Sequence, residues 1–193
     1  MAFQGEKAVL LCYCHFMNKK KAIFLDRDGV INKLVMTNGK GRAPYTLEDF
    51  DLYPGVTEAC VKLKDSDFLT IVVTNQPDVA RGWVLRESVE LINNKVRELL
   101  PIDDIKICFH TNEDNCLCRK PMPGMLLEAA SFWGIDLKNS YMIGDRFGDI
   151  AAGASAGCKT FLVGPGDAQG TFPGPDYKVD SLIEAVNILL SLS

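Results

Sequence analysis

The stretch AIFLDRDGVIN, residues 22–32, combines a short apolar run with two acidic residues and a glycine. A continuous apolar run of this length is typical of a strand that is buried on both faces of a parallel sheet. Asp26 and Asp28 follow the run directly and lead into Gly29. A carboxylate held beside a buried strand is costly unless a cation or a donor pairs with it. The stretch therefore predicts a parallel sheet with an acidic site at its edge.

Four further apolar runs have the composition of buried strands. They are FLTIVVT (68–74), IKICFH (105–110), SYMIGD (140–145) and KTFLV (159–163). Helical periodicity, with apolar residues at i, i+3, i+4 and i+7, separates most of the runs and follows the last one. The predicted helices cover residues 56–63, 89–99, 125–133, 149–156 and 181–190. This alternation predicts an α/β fold with a doubly wound, Rossmann-like parallel sheet of about five core strands, covered by helices on both faces.

Length and composition favour one globular domain. The chain has 193 residues, of which 47% are hydrophobic and 24% charged. We expect a single domain over residues 19–193, preceded by a disordered extension over 1–18. Cys12, Cys14 and His15 lie in this extension and could ligate a metal, but a disordered tail is the favoured interpretation.

The charge balance and the cysteine usage exclude several classes of protein. The net charge is −4, from 21 basic and 25 acidic side chains, so no basic field attracts nucleic acid. The longest apolar run is far too short to span a bilayer. The seven cysteines do not have the spacing of a secreted disulfide framework, and Cys60 and Cys158 lie in apolar patterns typical of the core. We expect a cytoplasmic monomer that binds neither nucleic acid nor membrane.

Polar residues also gather where other predicted strands end. The second strand ends in TNQ (74–76), and the fourth ends in GDRFGD (144–149). Ligands in open α/β sheets bind at the carboxyl ends of the strands, so these residues should meet the acidic pair that follows the first strand. Carboxylates suit Mg²⁺, and either Asp145 or Asp149 could supply the second acidic strand end. The alternative is a structural role as helix caps and turn residues.

These side chains have the chemistry that phosphoryl transfer requires. Asp26 can act as a covalent nucleophile, and Asp28 could protonate the leaving alkoxide and then deprotonate the attacking water. Thr74 can donate a hydroxyl and Asn75 an amide to phosphate oxygens. Lys120, together with a metal, can neutralise the charge that develops. The residues therefore predict a phosphomonoester hydrolase.

Four motifs carry a family resemblance. FLDRDGVIN, VTNQ, RKP and MIGDRFGDI, in this order and at these strand ends, resemble the haloacid dehalogenase superfamily of aspartate-nucleophile phosphatases. The pattern C-x-H-x5-C-x-C directly before RKPMPGMLLEA narrows the resemblance to the branch of D-glycero-D-manno-heptose 1,7-bisphosphate 7-phosphatases and histidinol-phosphate phosphatases. The resemblance covers about residues 20–165 and implies a fold without a separate cap domain.

The resemblance implies a separate role for each acidic residue. Asp26 would be the nucleophile and Asp28 the general acid/base. Mg²⁺ would be held by Asp26, the backbone carbonyl of Asp28 and Asp145, and Asp149 would orient the site from behind these ligands.

It also implies the substrate contacts. Thr74 and Lys120 would grip the transferring phosphoryl group. The remaining contacts with substrate would come from Asn75, Arg81, Arg119 and Arg146. The implied reaction removes the 7-phosphate of D-glycero-D-manno-heptose 1,7-bisphosphate, and histidinol phosphate or another small sugar phosphate is the alternative. Two features depart from the branch: Pro77-Asp78 stands where small residues are expected, and the stretch between His110 and Cys116 is short.

One loop, 108–118, contains a dense set of metal-ligating side chains: Cys108, His110, Cys116 and Cys118. A Cys₃His set is a common closed tetrahedral zinc shell, and in an extended strand C-x-H places both side chains on one face. Four protein ligands leave no position for water, so this zinc would be structural and would fix the loop that delivers Arg119 and Lys120. The alternative is a coincidence of core thiols with a surface histidine.

Two functions from other classes compete with the hydrolase. A phosphoacceptor signalling domain would also have an acidic pocket with a threonine and a lysine, but it would not need Asp28 as an acid/base. A zinc-dependent scaffold without catalysis would not need the acidic strand ends.

Overall fold

A computed structural model describes residues 19–166 and 174–192. The predicted extension, with Cys12, Cys14 and His15, lies outside these residues. Within the two described ranges, every helix is too short or too polar to cross a membrane.

The elements alternate along the chain much as the periodicity predicts. The strands are β1 (Lys21–Leu25), β2 (Val35–Thr37), β3 (Lys40–Arg42), β4 (Phe68–Asn75), β5 (Asp104–Cys108), β6 (Tyr141–Gly144), β7 (Lys159–Val163) and β8 (Tyr177–Val179). The helices are α1 (Val56–Lys64), α2 (Pro77–Ala80), α3 (Arg86–Leu99), α4 (Gly124–Trp133), α5 (Phe147–Ala156) and α6 (Leu182–Ser191), with a 3₁₀ turn at Leu137–Asn139.

Six of the strands form one parallel sheet in the order β5-β4-β1-β6-β7-β8. Side chains alternate across β1: Ile23 and Leu25 pack into a core with α1 and α6, whereas Ala22 and Phe24 pack into a second core with α4. All four are fully buried. This two-sided burial explains the continuous apolar run and confirms the predicted doubly wound α/β fold.

Several predicted boundaries were wrong. Within the described residues the sheet has six strands where about five were predicted, because β8 is only three residues long and has no apolar run to reveal it. The predicted strand over 105–110 ends at Cys108, and α5 begins at Phe147, two residues before the predicted start at Asp149. The segment between β1 and α1 forms the hairpin β2–β3, and the described residues contain no separate cap domain. Cys60 and Cys158 are buried, as predicted.

The sheet order brings the polar strand ends together. β1 lies between β4 and β6, so the ends of these three strands are neighbours. Asp26 continues the ladder one residue beyond β1, because its amide donates to the carbonyl of Ile143 at 2.9 Å. Thr74 lies on the penultimate position of β4, and Asp145 directly follows β6.

Candidate active site

The centre of the site is the ammonium group of Lys120. Its Nζ lies 2.7 Å from Asp26 Oδ1 and 2.6 Å from Asp149 Oδ1, and it donates to the carbonyl of Val73 at 2.7 Å. The three charged side chains are buried. Burial alone would lower the pKa of Lys120, but the Asp149 and Asp26 carboxylates outweigh it and raise that pKa. Lys120 therefore stays charged beside the predicted nucleophile.

Three carboxylates lie close together here: two of them contact Lys120, and the third, Asp145, lies 3.8 Å from Arg146 Nε through its Oδ2. Asp26, Asp145 and Asp149 each offer an oxygen within 4.8 Å of the others. Burial raises the pKa of Asp26, with Lys120 opposing it and the other carboxylates adding to it. Burial and the Asp149 charge raise the pKa of Asp145 to about 6, and its Oδ1 is buried without a protein partner. Excess negative charge and an unpartnered carboxylate oxygen are the features expected of a Mg²⁺ site, so the residues present fit this cation.

Two glycines allow the acidic residues to approach one another. At Gly29, where φ is +102°, an added Cβ would lie 2.2 Å from Asp145 Oδ2. At Gly144, an added Cβ would lie 2.1 Å from the Cβ of Asp149. Only glycine fits at such distances, so both positions preserve the spacing of the carboxylates.

Asp28 is held by neighbours that the sequence analysis did not single out. Its carboxylate accepts hydrogen bonds from Arg27, Asn32 and Gln76. The Gln76 amide also donates to Thr74 Oγ1 at 2.8 Å, so the predicted acid/base and the predicted phosphate-binding hydroxyl share one donor. In the sequence, the feature that could have revealed Arg27, Asn32 and Gln76 is their position within the motifs that end β1 and β4.

Asn75 ties the strand end to the loop that carries Lys120. Its Nδ2 donates to the carbonyl of Lys120 at 3.0 Å, and its Oδ1 accepts from the amide of Lys120 at 3.2 Å. The side chain thus fixes the backbone on which the central cation sits. Its predicted contact with substrate stays a prediction.

Most of the predicted site residues line a cavity of about 600 Å³, but Thr74 and Asp145 are not part of its lining. Asp26 and Asp28 line it, and so do the three predicted substrate-binding arginines. Those three are Arg81, Arg119 and Arg146. Two further cations were missed because they belong to the unpredicted hairpin: Lys40 and Arg42. The cavity therefore has an acidic centre and a rim that is rich in positive charge.

Asp78 and Tyr45 connect two sides of this rim. The Tyr45 hydroxyl donates to Asp78 Oδ2 at 2.8 Å, and Arg81 Nη1 donates to Asp78 Oδ1 at 2.9 Å. Arg42 lies over the Tyr45 ring, 4.1 Å from its centroid. The segment after β3 is thus joined to α2 through Asp78, one of the two residues by which the sequence departs from the branch.

The cysteine loop brings its four predicted ligands together. Cys118 Sγ lies 3.3 Å from His110 Nδ1, 3.3 Å from Cys108 Sγ and 3.4 Å from Cys116 Sγ. A tetrahedral zinc site with ligands at about 2.0–2.3 Å has edges of roughly 3.3–3.8 Å. The spacing and the donor set therefore fit zinc. His110 lies beyond the end of β5, so the loop rather than a strand aligns it with Cys108.

Comparisons with known proteins find a family model and named relatives that match this chain. A family model for HAD-hydrolase-like proteins matches residues 117–185. The D-glycero-beta-D-manno-heptose-1,7-bisphosphate 7-phosphatase of Helicobacter pylori is 37% identical, over 76% of this chain and 85% of its own. The corresponding alpha-heptose enzyme of Campylobacter jejuni is also 37% identical, over 75% and 83%.

A solved structure gives the same result at the level of the fold. It is that of D,D-heptose 1,7-bisphosphate phosphatase from B. bronchiseptica, complexed with magnesium and phosphate. Its TM-score is 0.79 at 32% identity, and the match covers 90% of this chain and 99% of that one.

The fold, the acidic strand ends and these relatives define a HAD-like hydrolase, and the chain belongs to that family of enzymes. Within it, the chain belongs to the D-glycero-D-manno-heptose 1,7-bisphosphate 7-phosphatase branch, as its motifs predicted. Membership of a phosphatase family favours the hydrolase over the signalling domain and the scaffold.

Proposed function

We propose that the protein is a Mg²⁺-dependent phosphomonoesterase that removes the 7-phosphate of D-glycero-D-manno-heptose 1,7-bisphosphate. The observation that carries the proposal is the buried contact of Lys120 with both Asp26 and Asp149, at the base of a cavity with a cationic rim. Relatives named for this activity are 33–37% identical over most of their length, which supports the same substrate.

The proposed mechanism uses the two aspartates that follow β1, Asp26 and Asp28. An oxygen of Asp26 attacks phosphorus and forms a new O–P bond, while the bond from phosphorus to the sugar oxygen breaks. Asp28 gives a proton to that oxygen. Water then attacks the aspartyl phosphate, Asp28 takes a proton from the water, and the O–P bond to Asp26 breaks to release phosphate. Lys120 and Thr74 hold the phosphoryl oxygens throughout.

The acidic cluster would hold the metal. We assign Asp26, Asp145 and the backbone carbonyl of Asp28 as its ligands. When bound, Mg²⁺ would neutralise charge on the phosphoryl oxygens. Asp149 would orient the site instead of binding the metal. One of its oxygens binds Lys120, and the other accepts a hydrogen bond from the amide of Arg146 at 3.0 Å.

The cationic rim suits a substrate that carries a second phosphate. Arg119 is fixed by the cysteine loop, since its Nε donates to Asn112 Oδ1 at 2.7 Å and its Nη1 to the carbonyl of His110 at 3.3 Å. Arg81 and Arg146 line the same cavity. We propose that these arginines bind the phosphate that is not transferred, together with the sugar hydroxyls.

Zinc in the cysteine loop would be structural. The loop that it closes leads directly into Arg119 and Lys120, so the metal would set the position of both cations. Thiolate ligation needs reduced cysteines, which supports a cytoplasmic location. We also propose that residues 19–193 act as one monomeric domain.

The test is phosphate release from a substrate panel with and without Mg²⁺. The panel contains both anomers of the heptose bisphosphate, because relatives named for each are equally similar, together with histidinol phosphate and nucleotides. We expect Mg²⁺-dependent release from a heptose bisphosphate and loss of at least about 100-fold in Asp26→Asn. Wild-type turnover by Asp26→Asn would rule out the covalent mechanism. A preference of the wild type for histidinol phosphate would rule out the heptose bisphosphate as the substrate.

A further inference from the structure

Arg27 is the largest fully buried side chain in the described part of the chain. It lies between Asp26 and Asp28, yet it points away from solvent and does not line the cavity that both aspartates line. Burying a guanidinium group is costly unless its donors are paired. The partners of Arg27 therefore indicate what the buried charge is for.

Most of those donors bind one carboxylate. Nε donates to Asp28 Oδ1 at 3.1 Å, and Nη2 lies 3.0 Å from both Asp28 oxygens. Two neutral amides complete the arrangement: Asn32 Nδ2 donates to Oδ1 at 3.0 Å, and Gln76 Nε2 donates to Oδ2 at 2.6 Å. A forked, charge-assisted contact of this type restricts the orientation of the carboxylate as well as its distance.

The third nitrogen of the Arg27 guanidinium reaches a different element. Its Nη1 donates to Oδ1 of Asn93, on α3, at 2.7 Å and across 66 positions of sequence. Asn93 is fully buried on the apolar stripe of α3, beside Val89, Ile92 and Val96. Its Nδ2 is buried without a hydrogen-bond partner. A half-satisfied amide on a buried helical face destabilises the fold, so the contact with Arg27 is the physical reason for a polar residue at this position.

We propose that Arg27 and Asn93 are positioning residues for the acid/base: Asn93 holds the guanidinium of Arg27, and Arg27 holds the Asp28 carboxylate in the orientation from which it exchanges protons with the leaving group and with water. The proposal rests on the proposed function, which makes Asp28 the acid/base. Neither positioning residue touches the substrate.

The test uses variants that remove the positioning contacts without touching Asp28. Asn93→Leu keeps the size of the side chain and removes the acceptor, whereas Arg27→Lys keeps the buried charge and removes the fork. Asn94→Leu, at the next residue of α3, is the matched control because the Asn94 side chain is exposed and accepts a hydrogen bond from Arg97 on the same helix. Thermal unfolding of each variant reports its folded fraction.

The readout is kcat/KM with two substrates that differ in their need for an acid. A sugar phosphate releases a basic alkoxide that must be protonated, whereas 4-nitrophenyl phosphate releases a weakly basic phenolate that leaves without help. We expect kcat/KM for the sugar phosphate to fall roughly 10- to 100-fold more than for the nitrophenyl ester in Asn93→Leu and Arg27→Lys. Asn94→Leu should match the wild type with both substrates.

An equal loss with both substrates would show that Arg27 and Asn93 serve folding alone and would overturn the proposal, as would no loss with either. If the wild type hydrolysed neither substrate, the proposed function would fail while the positioning claim could still be judged. In that case crystal structures of wild type and Asn93→Leu decide: a changed Asp28 conformer supports the claim, and an unchanged one overturns it.

Discussion

At the scale of single residues, the site depends on close approach between acidic groups. Asp145 and Asp149 can lie beside the end of β1 only because glycines face them. Gly29 combines this tight contact with a positive φ of +102°, a conformation that side chains with a Cβ rarely adopt. The acidic motif and its glycine therefore form one structural unit.

Gly29→Ala disturbs both the tight contact with Asp145 and the positive φ, and a control at a second glycine separates the two effects. The new methyl group would overlap the Asp145 carboxylate and displace it from Asp26, so we expect Mg²⁺-dependent phosphatase activity to fall by roughly 100-fold or more. The free energy of unfolding should fall by about 1–3 kcal/mol because of the strained backbone. Activity assays and urea unfolding measure the two effects.

Gly39→Ala is the matched control, because its φ is +75° and an added Cβ would have nothing within 4 Å. It should lose stability through the backbone but keep its activity. Equal activity in Gly29→Ala and Gly39→Ala would contradict the role given to the contact with Asp145.

At the scale of elements, loops carry site residues that the strands of the parallel sheet do not. The cysteine loop delivers Arg119 and Lys120, and Asn75 fastens the backbone of Lys120 to the end of β4. On the opposite rim, the segment after β3 meets α2 through Tyr45 and Asp78. Side chains from distant loops thus complete a site that begins on β1.

Cys116→Ser tests whether zinc positions this loop. We expect the purified protein to lose about one Zn²⁺ per chain, since one of four ligands is removed. Because Lys120 follows the loop directly, kcat should fall by roughly 100-fold, as for the loss of one charge-stabilising donor. Metal analysis and steady-state kinetics measure both quantities.

Cys158→Ser is the control for loss of a thiol, because Cys158 is buried in the core outside the cysteine loop. It should keep its zinc. Full activity after complete removal of zinc from the wild type would show that the metal does not position Lys120.

At the scale of the whole molecule, the burial of Asp145 beside the Asp149 charge destabilises the metal-free fold at neutral pH. The pKa of Asp145 rises from 3.8 to about 6, so the folded protein binds a proton that the unfolded chain has already released. Its contribution to stability is fully present below about pH 3.8 and is lost as the pH rises through about 6. The loss should approach roughly 2–3 kcal/mol at pH 7 in the absence of metal.

Comparison with Asp145→Asn isolates this contribution from other ionisable groups. In EDTA, the variant should become more stable than the wild type as the pH rises from 4 to 7, because asparagine stays neutral. Mg²⁺ should stabilise the wild type at pH 7 and leave the variant unchanged. Parallel pH curves of unfolding free energy, or equal stabilisation by Mg²⁺, would contradict the assignment of Asp145 to the cation site.

Local patterns in the sequence were enough to predict the class of fold and much of the site. A run buried on both faces reveals a central strand wherever the strand is long enough, which is why β1 was found and β8 was missed. The acidic strand ends and the cysteine loop were visible because their residues are close in sequence. The hairpin β2–β3 was not, since its six residues show no clear apolar alternation.

The sequence by itself determined the parallel sheet, the acidic pair after its central strand and the clustered metal-ligating residues, because each depends on neighbours within a few positions. Only the tertiary structure decided that Lys120 contacts Asp26, 94 residues away, and that Asn93 on α3 holds Arg27. Contacts of this kind depend on which helix packs against which strand end, and periodicity along the chain does not specify that choice.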